Sequence, residues 1–311
     1  MVGQVDTWSQ RRDRWLQYLN EVTGAVDCGK AIPLGPSPSP LSPPPVTLPA
    51  SAGKVVYCAP HPDDECLSGA LAFRLRNDSG ARITNVAITL GSDKEQRPRR
   101  LRELESACHA AGFELVVPQH PSGFDHVTQL NRKEKAAEWS SKVTALREIF
   151  DRENPDAILT PHALDFNTTH VGTHWLVADA LAEHLERTKR EPALFIETEF
   201  WHQIERPNLM LGIAPELVAA QLVAVAEHGR EMARNPYHLL HPCRLMDNVR
   251  RGSEVVGGQG AAAREFSFAE IYNVAFMKGR EIVPAKTGGC IIDPNVKIDL
   301  QWLKAQFSPQ A

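Results

Sequence analysis

Between residues 54 and 201 short apolar runs alternate with longer amphipathic stretches, and this alternation constrains the fold more than any other feature. "KVVYCAP" reads as a buried strand and "DDECLSGALAFRLRND" as a helix with an acidic first turn. "ITNVAITLG" is the next strand and "RPRRLRELESACHAAGF" the next helix. "ELVVP" is followed by a helix over 133–153, "DAILTPH" by the helix "THWLVADALAEHLERT", and "ALFIETEFW" closes the series. Strands that alternate with helices predict a mostly parallel sheet with helices on both faces. With 311 residues, 42% of them hydrophobic, the chain can fill the core this α/β class needs.

The two ends of the chain read differently. Trp8, Trp15, Tyr18, Leu19 and Val22 recur at helical spacing, with arginines between them. The run "PLGPSPSPLSPPPVTLP" (33–49) lacks backbone donors and predicts an extended strap. Residues 1–49 are therefore expected to form a helix and strap, and 50–212 the core. Residues 213–311 are expected as a helical and loop region that completes the same domain and sets specificity. Within it, the glycine-rich "GGQG" is a candidate lid.

Composition narrows the partners. A net charge of −4, with "RPRRLR" (97–102) as the densest basic run, argues against nucleic acid. No apolar run is long enough for a membrane span, and the N-terminus has no apolar signal core. The six cysteines are scattered, with no CxxC pair, which predicts reduced thiols and a cytoplasmic setting. Homo-oligomerisation stays open.

Three motifs fall at strand ends, where open α/β sheets place their ligands. They are "HPDDE" (61–65), "HALDFNTTHVGTH" (162–174) and "ETEFWH" (197–202). Carboxylates favour a helix start, but that does not account for a His-Pro before them or for a second histidine cluster at another strand end. A His and a carboxylate three residues apart at a strand-to-helix turn can aim at one point, and a third imidazole would complete a set that suits Zn2+.

"APHPDDECLSGA" resembles the AHPDDE motif of the PIG-L/LmbE family of zinc-dependent N-acetylglucosaminyl deacetylases and amidases. The resemblance covers roughly residues 54–205. It implies a Rossmann-like sheet, His61 and Asp64 as zinc ligands, and Asp63 as general base. The family's third ligand is the last histidine of an HxxH-like motif that opens a helix. "HVGTH" implies His174 in that role and His170 as the assisting histidine, although three residues separate them here rather than two. "RLRELESACHAAGF" resembles the family's RxxELxxAxxxLG helix and implies Arg100 as a substrate contact. Glu199, Trp201 and His202 end a strand on the ligand side and are candidates for sugar recognition, as is Asp125 in "SGFDH".

The expected activity is zinc-dependent hydrolysis of an N-acyl group, acetyl by preference, from a small amino sugar or sugar conjugate. The rivals are a metal-dependent hydrolase of another bond, such as a phosphoester, and a non-catalytic sugar- or metal-binding protein. An intact Asp63 counts against the last, since a binding site needs ligands but no base.

Overall fold

The computed structural model describes residues 7–308 apart from 48, 50, 191, 192, 286 and 287. Five strands make a parallel half-sheet: β1 (Lys54–Ala59), β2 (Arg82–Ala87), β3 (Glu114–Val116), β4 (Ala157–Pro161) and β5 (Ala193–Thr198). Their order is β3-β2-β1-β4-β5, all neighbours parallel. β1 explains why such a strand reads as continuous apolar sequence. Val55 and Tyr57 face one core while Val56 and Cys58 face the other, so both pleat faces are buried.

The helices divide between those faces. An N-terminal helix, α1 (Trp8–Lys30), precedes the sheet. After β1 come α2 (Asp64–Leu67) and α3 (Ala70–Ser79), then α4 (Arg97–Ala111) after β2. Leu71, Leu75 and Leu104 pack with Tyr57 on one face. On the other, α5 (Gln129–Glu134), α6 (Ala136–Glu153) and α7 (Thr168–Thr188) lie together, and Leu146, Phe150, Leu176 and Leu181 pack with Val56 and Ile158.

The single helix expected over "DDECLSGALAFRLRND" is broken at Ser68 and Gly69. Gly69 passes so close to the preceding turn that a Cβ there would lie 2.1 Å from the Glu65 carbonyl oxygen. The break lets the short α2 turn be set by the site, while α3 packs on the sheet.

The C-terminal third differs more from expectation. It follows β6 (Leu209–Ile213) and contains α8 (Pro215–Ala226), α9 (Gly229–Arg234) and α10 (Tyr237–Val255). It also contains β7 (Phe268–Lys278), β8 (Glu281–Pro284) and β9 (Cys290–Ile292), then α11 (Leu300–Phe307). A helical and loop region was expected, but β7 enters the main sheet antiparallel, between β5 and β6. "NVRRGSEV" (248–255) is the end of α10, and the glycine-rich loop begins only after it. The "GGQG" loop follows α10 at the end remote from Tyr237, about 27 Å away at 1.5 Å per residue. A Cβ added at Gly257 would lie 2.4 Å from the Ser253 carbonyl oxygen and 3.2 Å from Ile291 Cδ1, so the loop starts close against the end of α10 and β9.

Between α1 and β1 the proline-rich chain forms no helix or strand among the described residues. It is latched to the end of α8. Gly35 N donates to the Ala226 carbonyl at 2.8 Å, and Ser37 donates through N and Oγ to the Glu227 carboxylate at 2.8 and 2.7 Å. No helix among the described residues is long and apolar enough to cross a membrane. All six cysteines are free thiols.

Candidate metal centre and active site

The strand order reverses between β1 and β4, and the carboxyl ends of those strands flank the crevice where α/β sheets bind ligands. From β1 the chain turns through His61–Asp64 into α2. From β4 it runs through His162–Asn167 into α7. Asn167 caps α7, its side-chain oxygen accepting from Thr169 N at 2.8 Å, and so presents His170 in the first turn.

His61, Asp64 and His170 meet there, with one ligand-type atom from each within 4.8 Å of the others. Asp64 Oδ2 is the hub. It lies 3.2 Å from His170 Nε2 and 3.4 Å from His61 Nδ1, and it accepts from His61 N at 3.0 Å. Behind His170, Asp165 Oδ2 lies 3.6 Å from Nδ1. A carboxylate behind an imidazole is the usual support of a metal-binding histidine. Both ring nitrogens of His170 are buried without a hydrogen-bond partner of good geometry. Burial opposes charge on His170, but the Asp64 and Asp165 carboxylates outweigh it and push its pKa up to about 10. The same imidazoles, against the cost of burial, hold the Asp64 carboxyl far below its usual range. A buried, anionic cup with unpaired imidazole nitrogens is what a cation would satisfy. Two nitrogens and one carboxylate oxygen suit zinc and leave a coordination position for other ligands.

His174, the expected third ligand, is not in this group. It lies one turn further along α7, buried, with Nδ1 at 3.0 Å from the Pro161 carbonyl oxygen and 3.4 Å from Glu197. Its ring packs edge-on against Trp175 and Phe195. Burial holds its pKa down, against the pull of Glu197. It is His170 that opens the helix. Counting from there, the earlier position of an HxxH-like pair is Asn167, the helix cap.

Asp63 lies beside the hub in a cavity of about 220 Å3 shared with His61, Asp64, Arg100, Asn167 and Arg234. Its backbone has φ 112°, ψ −31°, a conformation that costs a non-glycine residue ~1–3 kcal/mol. Glu65 holds it there. Glu65 Oε2 accepts from Asp63 N at 3.0 Å, while Oε1 pairs with His228 Nε2 at 2.7 Å. Glu65, Cys66 and His228 form the only other grouping of metal-type donors among the described residues. Because the Glu65 carboxylate is already bonded on both oxygens, the group serves as a brace for Asp63. Burial raises the Asp63 pKa well above the usual range. The Asp64 charge adds to this and Arg100 opposes it. A base with raised affinity for a proton suits general acid–base work near neutrality.

Arg100 reaches the cavity from α4, donating to the Pro62 carbonyl at 3.3 Å. Gly91 makes room for it, since a Cβ there would lie 2.2 Å from Arg100 Nη1. Trp201 lines the cavity as well. His202 is exposed, and its carbonyl accepts from His162 Nε2 at 2.9 Å, so it serves the loop rather than the cavity. Asp125 lies elsewhere, paired with Arg97 and, at 3.5 Å, with Lys94.

Glu199 also departs from the expected substrate contact. Its carboxylate is buried, pairs with Arg251 of α10 and accepts from Ile204 N at 2.8 Å. Removing one partner of a buried pair strands the other charge. Glu199→Ala is therefore expected to destabilise the fold by about 3–5 kcal/mol, read by denaturant unfolding. A loss within 0.5 kcal/mol would return Glu199 to the pool of substrate contacts.

Sequence reading did not pick out Asp165, Asn167, Glu231, Arg234 or Tyr237. The first two stood inside a motif singled out for its histidines. The last three come from α9 and the start of α10, and "GREMARNPYH" carries no local signal that it faces the end of a distant strand.

Residues 56–181 match the family model described as PIG-L, GlcNAc-PI de-N-acetylase. No curated protein sequence matches the chain. Solved structures share its fold at low identity. The N,N'-diacetylchitobiose deacetylase from Pyrococcus horikoshii aligns with TM-score 0.52 at 14% identity, covering 88% of this chain and 94% of that one. GalB, the 4-carboxy-2-hydroxymuconate hydratase from Pseudomonas putida KT2440, aligns with TM-score 0.53 at 17% identity, covering 71% and 95%. A deacetylase from the teicoplanin biosynthesis pathway aligns with TM-score 0.50 at 16% identity, covering 71% and 97%. A hydratase and deacetylases share this architecture, so the reaction must be argued from the site.

Proposed function

We propose, from the premise that residues 56–181 are a PIG-L family segment, that the chain is a zinc-dependent hydrolase removing an N-acyl group, acetyl by preference, from an amino sugar conjugate. The observation that carries the reading is the convergence of His61, Asp64 and His170 in one buried cup, with the braced carboxylate of Asp63 beside it.

His61, Asp64 and His170 would hold the ion. When bound, it supplies Lewis-acid polarisation of the amide carbonyl and acidification of a water. The chain's own groups do the rest. Asp63 accepts the proton of the attacking water and passes it to the departing amine. Asp165, 3.6 Å behind the His170 ring, supplies the negative charge that supports it. Arg100, beside Asp63, partly offsets the burial and the Asp64 charge that raise the pKa of that carboxylate. With His170, the expected assisting histidine, among the metal-type donors, the earlier position of an HxxH-like pair falls on Asn167, so proton transfer rests on Asp63. Trp201 gives an indole face for the apolar side of a sugar ring.

The test is acetate release from N-acetylglucosamine conjugates before and after chelation. Turnover should disappear with the metal and return when zinc is added. Undiminished turnover in fully metal-stripped protein would end the metal-dependent reading.

A further inference from the structure

Asp63 is held in a backbone conformation that a non-glycine residue adopts only under constraint, and the hold begins at the corner between α8 and α9. His228, at that corner, pairs through Nε2 with Glu65 at 2.7 Å, and Glu65 accepts from Asp63 N at 3.0 Å. The next residue, Gly229, opens α9, which carries Glu231 and Arg234 into the catalytic cavity. Arg230 ties the corner to α4, the helix of Arg100, by donating to Gln96 at its cap, 3.3 Å away.

The proline-rich strap is what fixes this corner. Among the described residues, both hydrogen bonds to the buried Glu227 carboxylate come from Ser37, through N and Oγ. Gly35 N donates to the last carbonyl of α8 at 2.8 Å. Two glycines then let the backbones touch. A Cβ at Gly229 would lie 1.7 Å from the Gly35 carbonyl oxygen, and one at Gly35 would lie 2.7 Å from Glu227 Cα. Further along, Ser42 Oγ lies 3.0 Å from His109 Nε2 of α4, and the Pro44 carbonyl accepts from Arg76 of α3 at 3.4 Å. A strap tied at these points and in backbone contact with the corner cannot shift without carrying Glu227 and His228 with it.

We infer that the strap segment Gly35–Ser37, with Glu227, positions the catalytic site from behind. It fixes the α8–α9 corner, and through His228 and Glu65 it holds Asp63 in place while α9 presents Arg234. Ser37 and Glu227 are positioning residues, since neither lines the catalytic cavity. The support comes from a part of the chain outside the family segment 56–181. The chemical role of Asp63 rests on the deacetylase reading, whereas the mechanical link from the strap to Asp63 does not.

Hydrogen exchange read by mass spectrometry tests the link without a substrate. The amides of Asp63, Cys66 and Leu67 are all hydrogen-bonded within this turn, so a loosened brace exposes them. In Ser37→Ala, peptides over 63–67 and 229–235 should exchange about tenfold faster, the worth of one hydrogen bond to a charged group. Peptides from α6 and α7, on the other face of the sheet, should not change. Ser37→Thr, which keeps the hydroxyl, should behave as wild type. Ser37 is only half-buried, so its replacement leaves the fold intact. Unchanged exchange at 63–67 in Ser37→Ala overturns the inference. Uniform acceleration over the whole chain overturns it too, because the strap would then be a general stabiliser. Turnover on N-acetylglucosamine conjugates is measured second. In Ser37→Ala, kcat should fall about tenfold with KM and zinc content near wild type, as expected for a misplaced catalytic group. An unchanged kcat in an active enzyme also overturns the inference. Faster exchange confined to 63–67 and 229–235, with no amide cleaved by the wild type, would sustain the positioning link and defeat the deacetylase reading.

Discussion

Asp63→Asn is expected to lower kcat by ~10²–10⁴-fold, the usual worth of a general base, while zinc content and Tm stay near wild type. The substitution keeps the shape and removes the basic oxygen. Metal content should survive because the three converging donors are His61, Asp64 and His170. The fold should survive because Asp63 is held through its backbone. Its N–H goes to Glu65, and its carbonyl accepts from Cys66 N and Leu67 N, both at 3.1 Å. Asparagine also tolerates positive φ better than most residues. Near-normal turnover would remove Asp63 as base. Loss of zinc would make it a ligand.

The second large effect separates two histidines four residues apart. His170→Ala should abolish stoichiometric zinc binding, and turnover with it. His174→Ala should keep the metal but destabilise the fold by about 1–3 kcal/mol. It leaves the buried Pro161 carbonyl without its imidazole partner and opens space beside Phe195. Metal analysis of the purified variants, with thermal unfolding alongside, decides between them. Zinc retained in His170→Ala and lost in His174→Ala would restore the assignment that the family resemblance implied.

Much of this molecule was legible because local rules set it. An apolar run followed by His-Pro and three acids can only be a buried strand turning into a helix start. The three-residue interval between His61 and Asp64 brings their side chains together at that turn whatever lies beyond. Strand after helix after strand dictated a parallel sheet, and a parallel sheet fixes where its ligands go.

The third donor of the cup was not local. His170 and His174 share one face of α7 because they are four residues apart, so helical periodicity cannot distinguish them. They differ by about 6 Å along the helix axis. Which of them overhangs the strand ends depends on the depth at which α7 docks. That depth is set by the packing of Leu176, Val177 and Leu181 against β4 and α6, and it places His174 beside Pro161 and His170 over Asp64.

Glu199 shows the same division. Its position at the end of β5 could be read from the chain, but its partner Arg251 lies 52 residues away on a helix whose docking no local pattern reveals. The sequence by itself determined the strand-to-helix turn, its acids and the end of the sheet that would carry the site, because dihedral preference and burial act over a few residues. Only the tertiary structure decided which histidine completes the cup, which carboxylates are braces, and that α9 and α10 form its wall. Those depend on where separately folded helices come to rest on a common sheet, and that is settled by packing over the whole chain.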